Sequence, residues 1–141
     1  MAGKDPKVEM LRSIPIFSKC GTHDLEQVAQ LVDEIELPAG KTLIREGDRG
    51  AEMFLLVSGK ARVERKGKTI GEFGPGAVLG EMALISEAPR NATVTAIEPL
   101  RAFVVAHREF HSLMDGHPQF RMKVFEGLAE KVRRLEEDGV N

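Results

Sequence analysis

The stretch GEMALISEAPRNAT, residues 80–93, brings a glycine, a carboxylate and one arginine close together in the chain. Gly74, Gly76 and Gly80 permit backbone conformations that other residues avoid, and the residues after Gly80 have the pattern of a first helical turn. The start of a helix offers unpaired N–H groups and the positive end of a dipole. Arg90 adds a guanidinium, which holds phosphate oxygens in a fork geometry that lysine lacks. The stretch therefore predicts an anion site that suits a phosphate.

Glu81 does not fit a site for a bare phosphate, because a carboxylate repels that anion. It fits a ligand that also carries a hydroxyl donor, such as a ribose 2′-OH, close to the phosphate. The competing interpretation is an ion pair between Glu81 and Arg90 inside a turn, and this stretch alone leaves both open. Taken singly, a glutamate in a turn and an arginine after a proline are usually solvated surface charges.

The region that must position this site, residues 35–106, consists of short strand-like segments separated by glycines and prolines. KARVERKGKTIGEF predicts a hairpin that turns at Lys66 and Gly67. Many short strands at close turn spacing favour a barrel or jelly roll over a parallel sheet.

Helical patterns lie on both sides of this β region, over residues 7–34 and 107–137. In the first range, Leu25, Val28 and Val32 recur at helical spacing, and Thr22 is the predicted N-cap. In the second range, Pro118 suits the first turn of a long helix. The pattern indicates an α+β protein with helices at both ends of the chain.

Length and composition limit the class of protein. A chain of 141 residues, 42% hydrophobic and with a net charge of −2, predicts one domain over residues 1–141 and gives no electrostatic sign of a nucleic-acid partner. The single cysteine, Cys20, excludes a disulfide within the chain and is consistent with a reducing compartment. The charged N-terminus is no secretory signal, and no apolar run is long enough for a membrane span. We expect a cytoplasmic protein without membrane contact, unless the chain is part of a longer one.

Two stretches, PAGKTLIREGDRGAEMFLLVSGKARV and GPGAVLGEMALISEAPRNATVTA, resemble the cyclic nucleotide-binding domain family. The second is similar to the phosphate-binding cassette of that family: Gly-Glu, an apolar-small-apolar turn, then Pro-Arg, one variable residue and Ala-Thr. The likeness runs from about Leu11 to Leu135. It implies an antiparallel β-jelly-roll (double-stranded β-helix) barrel, flanked by N-terminal helices and by C-terminal hinge and lid helices, with the cassette at residues 80–93.

The resemblance also implies roles for individual residues. Glu81 would accept the ribose 2′-OH, and Arg90 would pair with the cyclic phosphate. Main-chain N–H groups near the phosphate are implied at Gly80, Met82, Ala83, Asn91 and Ala92. The base would lie on apolar strand residues, for which the candidates are Val63, Val78 and Leu79, with plain barrel core as the alternative. On the last helix Lys131 is the candidate for a base contact, and a solvated helix face is the alternative.

The function implied is a cyclic nucleotide sensor, in which phosphate capture moves the C-terminal helix through hinge packing at Phe110, Leu113, Met114 and Phe120. After the arginine the family often has Ala, Ser or Thr, and a hydroxyl there can help to hold guanine, whereas this sequence has Asn91. An amide both donates and accepts, so Asn91 does not decide between adenine and guanine. We expect cAMP to be favoured over cGMP because the threonine associated with cGMP preference is missing. The partner would be an unidentified effector protein or an effector domain missing from this chain. The alternative function is a degenerate fold that acts as a protein interaction scaffold without ligand.

Catalysis is not expected from these residues. His107 and His111, four positions apart on a predicted helix, could form a metal pair, but no third ligand can be placed. Cyclic phosphodiesterases use metal clusters of His and Asp, which this sequence does not offer. We therefore expect no enzymatic activity, no metal and no cofactor apart from the nucleotide ligand.

Overall fold

The computed structural model describes residues 5–139, and the chain divides into two compact units. The β unit comprises residues 32–109. The helical unit comprises the residues up to Leu31 together with those from Phe110 onward.

Two antiparallel four-stranded sheets form the β unit, in the orders β1-β8-β3-β6 and β2-β7-β4-β5. The strands are β1 Asp33–Leu37, β2 Thr42–Ile44, β3 Glu52–Ser58, β4 Ala61–Arg65, β5 Lys68–Phe73, β6 Val78–Leu79, β7 Thr93–Ala96 and β8 Leu100–Ala106. This arrangement confirms the predicted antiparallel jelly roll with flanking helices.

Alternating side chains of these strands form the core of the β unit, as expected for half-buried strands. On β4, for example, Ala61 and Val63 are buried, while Arg62 and Glu64, which alternate with them, are only partly buried. The buried cluster contains Ile44, Phe54, Leu56, Ala61, Val63, Ala92, Val94, Ala96, Leu100, Ala102 and Val104.

The predicted hairpin turn is confirmed between β4 and β5, where Arg65 pairs with Lys68. Lys66 has φ 52° and Gly67 has φ 79°, so both loop residues lie in the left-handed region. Two such residues form the turn whose twist matches the flanking strands.

The boundary between the first helices and the β unit lies earlier than predicted. β1 begins at Asp33, so the helical range 7–34 extends too far, and the β region starts before residue 35. The DEIEL sequence of β1 is strongly charged, and charged residues of this type are uncommon in strands, so the sequence did not predict one here. The two residues of β6, Val78 and Leu79, were expected to be strand residues, and the structure confirms this.

The helical unit contains α1 Pro6–Arg12, a 3₁₀ helix Pro15–Phe17 and α2 Thr22–Ala29. Its C-terminal part is formed by α3 His107–Gly116, from Phe110 onward, and by α4 Pro118–Gly139, close to the predicted helical range 107–137. The N-cap of α2 is Gly21, and Thr22 is the first helical residue. Gly21 takes this position because its N–H donates to Asp24 Oδ2 over 3.0 Å.

Three phenylalanines pack in the interior of the helical unit. Phe110 lies 5.8 Å from Phe17 and 5.8 Å from Phe120, measured between ring centroids. Within residues 5–139, no helix combines the length and the apolar character that crossing a bilayer requires.

Candidate functional site

A cavity of about 510 Å³ opens in the β unit, within the size range of small-molecule sites. Its wall is built from β4, β5, β6 and the segment that joins β6 to β7. Most of the residues predicted for the site line this cavity: Gly80, Met82, Ala83, Arg90, Asn91, Ala92, Val63, Val78 and Leu79.

The predicted helical turn after Gly80 is present as a 3₁₀ helix, Glu81–Leu84. Gly80 is its N-cap and has φ 75°, a left-handed conformation that favours glycine. The Ala83 N–H donates to the Gly80 carbonyl over 3.0 Å, so this amide closes the turn itself. The turn brings a helix start to the wall of the cavity.

Arg90 lies at the same wall with its guanidinium partly buried. Nη2 donates to the main-chain oxygen of Glu52 over 2.6 Å, and the guanidinium carbon lies 6.0 Å from the centroid of the Phe54 ring. Burial lowers the pKa of the Arg90 guanidinium, and the charge of Glu52 partly opposes this change. Since arginine titrates far above neutral pH, the group remains a cation.

Two glycines make room for this guanidinium. A Cβ on Gly80 would collide with Arg90 Nη1, and a Cβ on Gly50 would lie 3.0 Å from Arg90 Nε. The absence of side chains at these two positions therefore allows Arg90 to reach the Glu52 carbonyl.

The loop before β3 fixes the main chain around Arg90. The Arg90 N–H donates to Asp48 O over 2.7 Å, and the Gly47 N–H donates to Arg90 O over 2.8 Å. Two residues further on, the Gly50 N–H donates to Ala88 O over 2.8 Å. The EGDRG sequence of this loop thus positions the arginine, although the two segments are about forty residues apart.

Sequence reasoning missed Arg65, which lines the cavity at the end of β4. Its Nε donates to the main-chain oxygen of Asn91 over 2.9 Å. The available signal was the period of two along β4, which places Arg65 on the same face as Val63. Ile70 and Phe73 on β5 were also missed; both line the cavity, with exposed fractions of 49% and 40%.

Glu81 and Lys131 are the predicted residues that do not appear among those lining the cavity. Glu81 begins the 3₁₀ helix next to Gly80, and its Oε2 is buried. Lys131 lies on α4, in the helical unit. The roles implied for these two residues stay predictions.

A metal site does not emerge from the described residues: within positions 5–139, no group of three or more His, Cys, Asp or Glu side chains is arranged to hold an ion. His107, considered as half of a metal pair, directs Nδ1 at the carbonyl oxygen of Ala83 over 2.7 Å.

Residues 34–117, more than half of the chain, match the family model described as "Cyclic nucleotide-binding domain". The chain therefore belongs to the cyclic nucleotide-binding domain family. The match covers the β unit from residue 34 onward and the whole of α3, and it is narrower than the range of the sequence resemblance.

Curated relatives include channels and kinase subunits. A cyclic nucleotide-gated potassium channel of Mesorhizobium japonicum is 33% identical over 111 residues, which are 79% of this chain and 31% of the channel. The cAMP-dependent protein kinase regulatory subunit of Yarrowia lipolytica is 31% identical over 106 residues, which are 74% of this chain and 28% of that subunit. The chain thus spans about a third of the length of these relatives.

Solved structures share the fold. The N-terminal domain of a transcriptional regulator from Streptomyces coelicolor A3(2) superposes with a TM-score of 0.83 at 23% identity, covering 94% of this chain and 98% of that domain. The Catabolite Activator Protein of Thermus thermophilus superposes with a TM-score of 0.68 at 25% identity, covering 89% of this chain and 61% of that protein.

Proposed function

We propose that this chain binds a cyclic nucleotide as a sensor module without catalysis, and that it favours cAMP over cGMP. The observation that carries the proposal is the position of Arg90: a partly buried cation at the wall of a 510 Å³ cavity, hydrogen-bonded to a neutral carbonyl. A cation in that setting gains from an anion, because partial burial weakens the screening of their attraction by water.

The cavity lining offers groups that suit both parts of a nucleotide. The turn at Gly80 and the guanidinium of Arg90 offer N–H donors to a cyclic phosphate. The apolar wall at Val63, Val78 and Leu79 offers a surface on which a base can lie. Glu81, next to the turn, would accept the ribose 2′-OH.

The preference for cAMP rests on Asn91. Its main-chain oxygen accepts a hydrogen bond from Arg65 Nε, and the threonine associated with cGMP preference in the family is missing at this position. Support for a sensor role comes from the family: the curated relatives include a cyclic nucleotide-gated channel and a cAMP-dependent kinase regulatory subunit. In this chain, capture at the cassette would shift the population of α4 positions, with Lys131 reaching the base, and an effector would respond.

The test is calorimetric titration of the nucleotide-stripped protein with cAMP and with cGMP at equal ionic strength. We expect binding at micromolar concentration or tighter, with cAMP the tighter ligand. Asn91→Thr is expected to move the ratio of affinities toward cGMP. Arg49→Ala is the matched control for Arg90→Ala and should bind like the parent. Arg49 is a neighbouring surface arginine, and its side chain pairs with Glu87 at 3.8 Å.

Each outcome of this titration has a defined meaning. Absence of heat and of a thermal shift with both nucleotides contradicts the proposal and leaves the interaction scaffold. Binding with cGMP as the tighter ligand keeps the sensor and overturns the assigned preference. Slow conversion of the bound nucleotide to its 5′-monophosphate contradicts the absence of catalysis.

A further inference from the structure

His107, the first residue of α3, is hydrogen-bonded to two separate segments of the β unit. Its main-chain N–H donates to Ala51 O over 2.8 Å. Its ring nitrogen Nδ1 lies 2.7 Å from Ala83 O, and because a carbonyl only accepts, Nδ1 must carry the hydrogen. One residue thus connects the loop before β3 with the 3₁₀ helix Glu81–Leu84.

Both acceptors of His107 belong to the candidate site. Ala83 is buried and lines the cavity. Ala51 is followed directly by Glu52, whose carbonyl accepts the hydrogen bond of Arg90. His107 therefore contacts the 3₁₀ helix through Ala83. It also contacts Ala51, the residue before Glu52, which accepts the hydrogen bond of Arg90.

A four-residue 3₁₀ helix depends on such external contacts, because so short a helix has little stability of its own. The Met82 carbonyl accepts from the N–H groups of Ile85 and Ser86, at 3.0 and 2.9 Å. The next carbonyl, that of Ala83, accepts from the side chain of His107. The imidazole is therefore a contact from outside the turn that orients the Ala83 carbonyl.

We propose that His107 is a positioning residue for nucleotide binding, which orients the 3₁₀ helix of the cassette through Ala83. This inference rests on the proposed function. Removal of the donor leaves a partly buried carbonyl without this bond and frees the turn to adopt other orientations. We expect a loss of nucleotide affinity of about three- to tenfold, the range of one hydrogen bond.

The test compares His107→Leu with His107→Asn. Leucine removes the donor, whereas the asparagine Nδ2 is the same number of bonds from Cα as the imidazole Nδ1 and restores it. We expect His107→Leu to bind the nucleotide three- to tenfold more weakly, and His107→Asn to recover most of that loss, at a temperature where both are folded. A residue that only stabilises the fold would not change affinity under these conditions.

His117→Leu is the matched control. The His117 Nδ1 also donates to a main-chain carbonyl, that of Leu113 over 3.0 Å, but this contact is exposed and lies within the helical unit. We expect the control to bind like the parent. An equal loss in the control, or no recovery by His107→Asn, overturns the inference.

A second readout does not require ligand. In the nucleotide-free protein, His107→Leu should speed hydrogen exchange of the amides at Ala83, Ile85 and Ser86, and ring ¹⁵N spectra of the parent should show a protonated Nδ1. If the parent binds neither nucleotide, the proposed function fails. Hydrogen exchange and the ring ¹⁵N spectra then test by themselves whether His107 orients the 3₁₀ helix. Unchanged exchange, or an Nδ1 without its proton, overturns it.

Discussion

Arg90 donates to the main-chain carbonyl of Glu52 over 2.6 Å, so the cation at the cavity wall is held by a neutral acceptor from a distant strand. The carbonyl carries no formal charge, so it orients the guanidinium without forming an ion pair with it. An anionic ligand can then bind without breaking an ion pair first, which favours affinity.

Arg90→Ala should abolish nucleotide binding while leaving the protein folded. Loss of one hydrogen-bonded charge on a partly buried ligand costs about 100-fold or more in affinity. Arg90→Lys retains the charge but loses the fork geometry, so a smaller loss is expected, and Glu81→Ala should also weaken binding less. Calorimetry gives the affinities, and thermal unfolding checks the fold. Parent-like binding by both Arg90→Ala and Glu81→Ala would show that the site is wrongly assigned.

Gly80→Ala should reduce nucleotide affinity far more than Gly76→Ala. Both residues have a left-handed backbone, with φ 75° and 91°, so each substitution costs about 1 kcal/mol of stability. A Cβ on Gly80 also collides with Arg90 Nη1, whereas a Cβ on Gly76 meets no atom within 4 Å. Unfolding in urea should give similar stabilities for the two variants, and titration should separate them. Equal affinities would mean that Arg90 needs no space at Gly80.

Gly127→Ala should destabilise the helical unit, although alanine is the better helix former by about 1 kcal/mol. A Cβ there would collide with the main-chain oxygen of Ile16, which cannot rotate away as a side chain can. Overpacking of this kind costs about 1–3 kcal/mol. Gly116→Ala, where no atom lies within 4 Å, is the control and should be neutral or stabilising. Thermal unfolding of both variants is the measurement, and a higher Tm for Gly127→Ala would contradict the packing argument.

Asp24→Asn should lower stability at neutral pH and lose this effect in acid. Burial acts to raise the pKa of Asp24, but the hydrogen bonds from Lys123 Nζ, at 2.9 Å, and from the Gly21 N–H together hold that pKa below its usual value of 3.8. As the pH falls, the Asp24 carboxylate therefore binds a proton at a higher pH in the unfolded state than in the folded state. The stabilisation is complete above the unfolded pKa and disappears as the pH drops below the folded one.

Thermal unfolding between pH 7 and pH 2 tests this dependence. The Tm of Asp24→Asn should lie below that of the parent at pH 7, and the difference should shrink as the pH falls below 3.8. Asp115→Asn is the control, because the Asp115 carboxylate is 77% exposed and lies 4.0 Å from Arg121. A constant Tm difference across the whole range would show that Asp24 acts through shape and not through charge.

Features that depend on neighbouring residues were predictable from the sequence. The hairpin at Lys66 and Gly67 follows from a glycine-containing turn between two strand-like segments, and the turn after Gly80 follows from its local pattern. The antiparallel jelly roll follows from many short strands and close turns, together with the family resemblance. In contrast, β1 escaped prediction, because its sequence is highly charged.

Contacts between distant segments were decided by the tertiary structure alone. The sequence predicted that Arg90 and Gly80 belong to one site, and the structure places both at the wall of the same cavity. Only the fold decided that Glu52 accepts the hydrogen bond of Arg90, that Arg65 holds Asn91 and that His107 reaches Ala83. These pairs lie 24 to 38 positions apart, and strand pairing, which no local pattern of the chain encodes, brings them together.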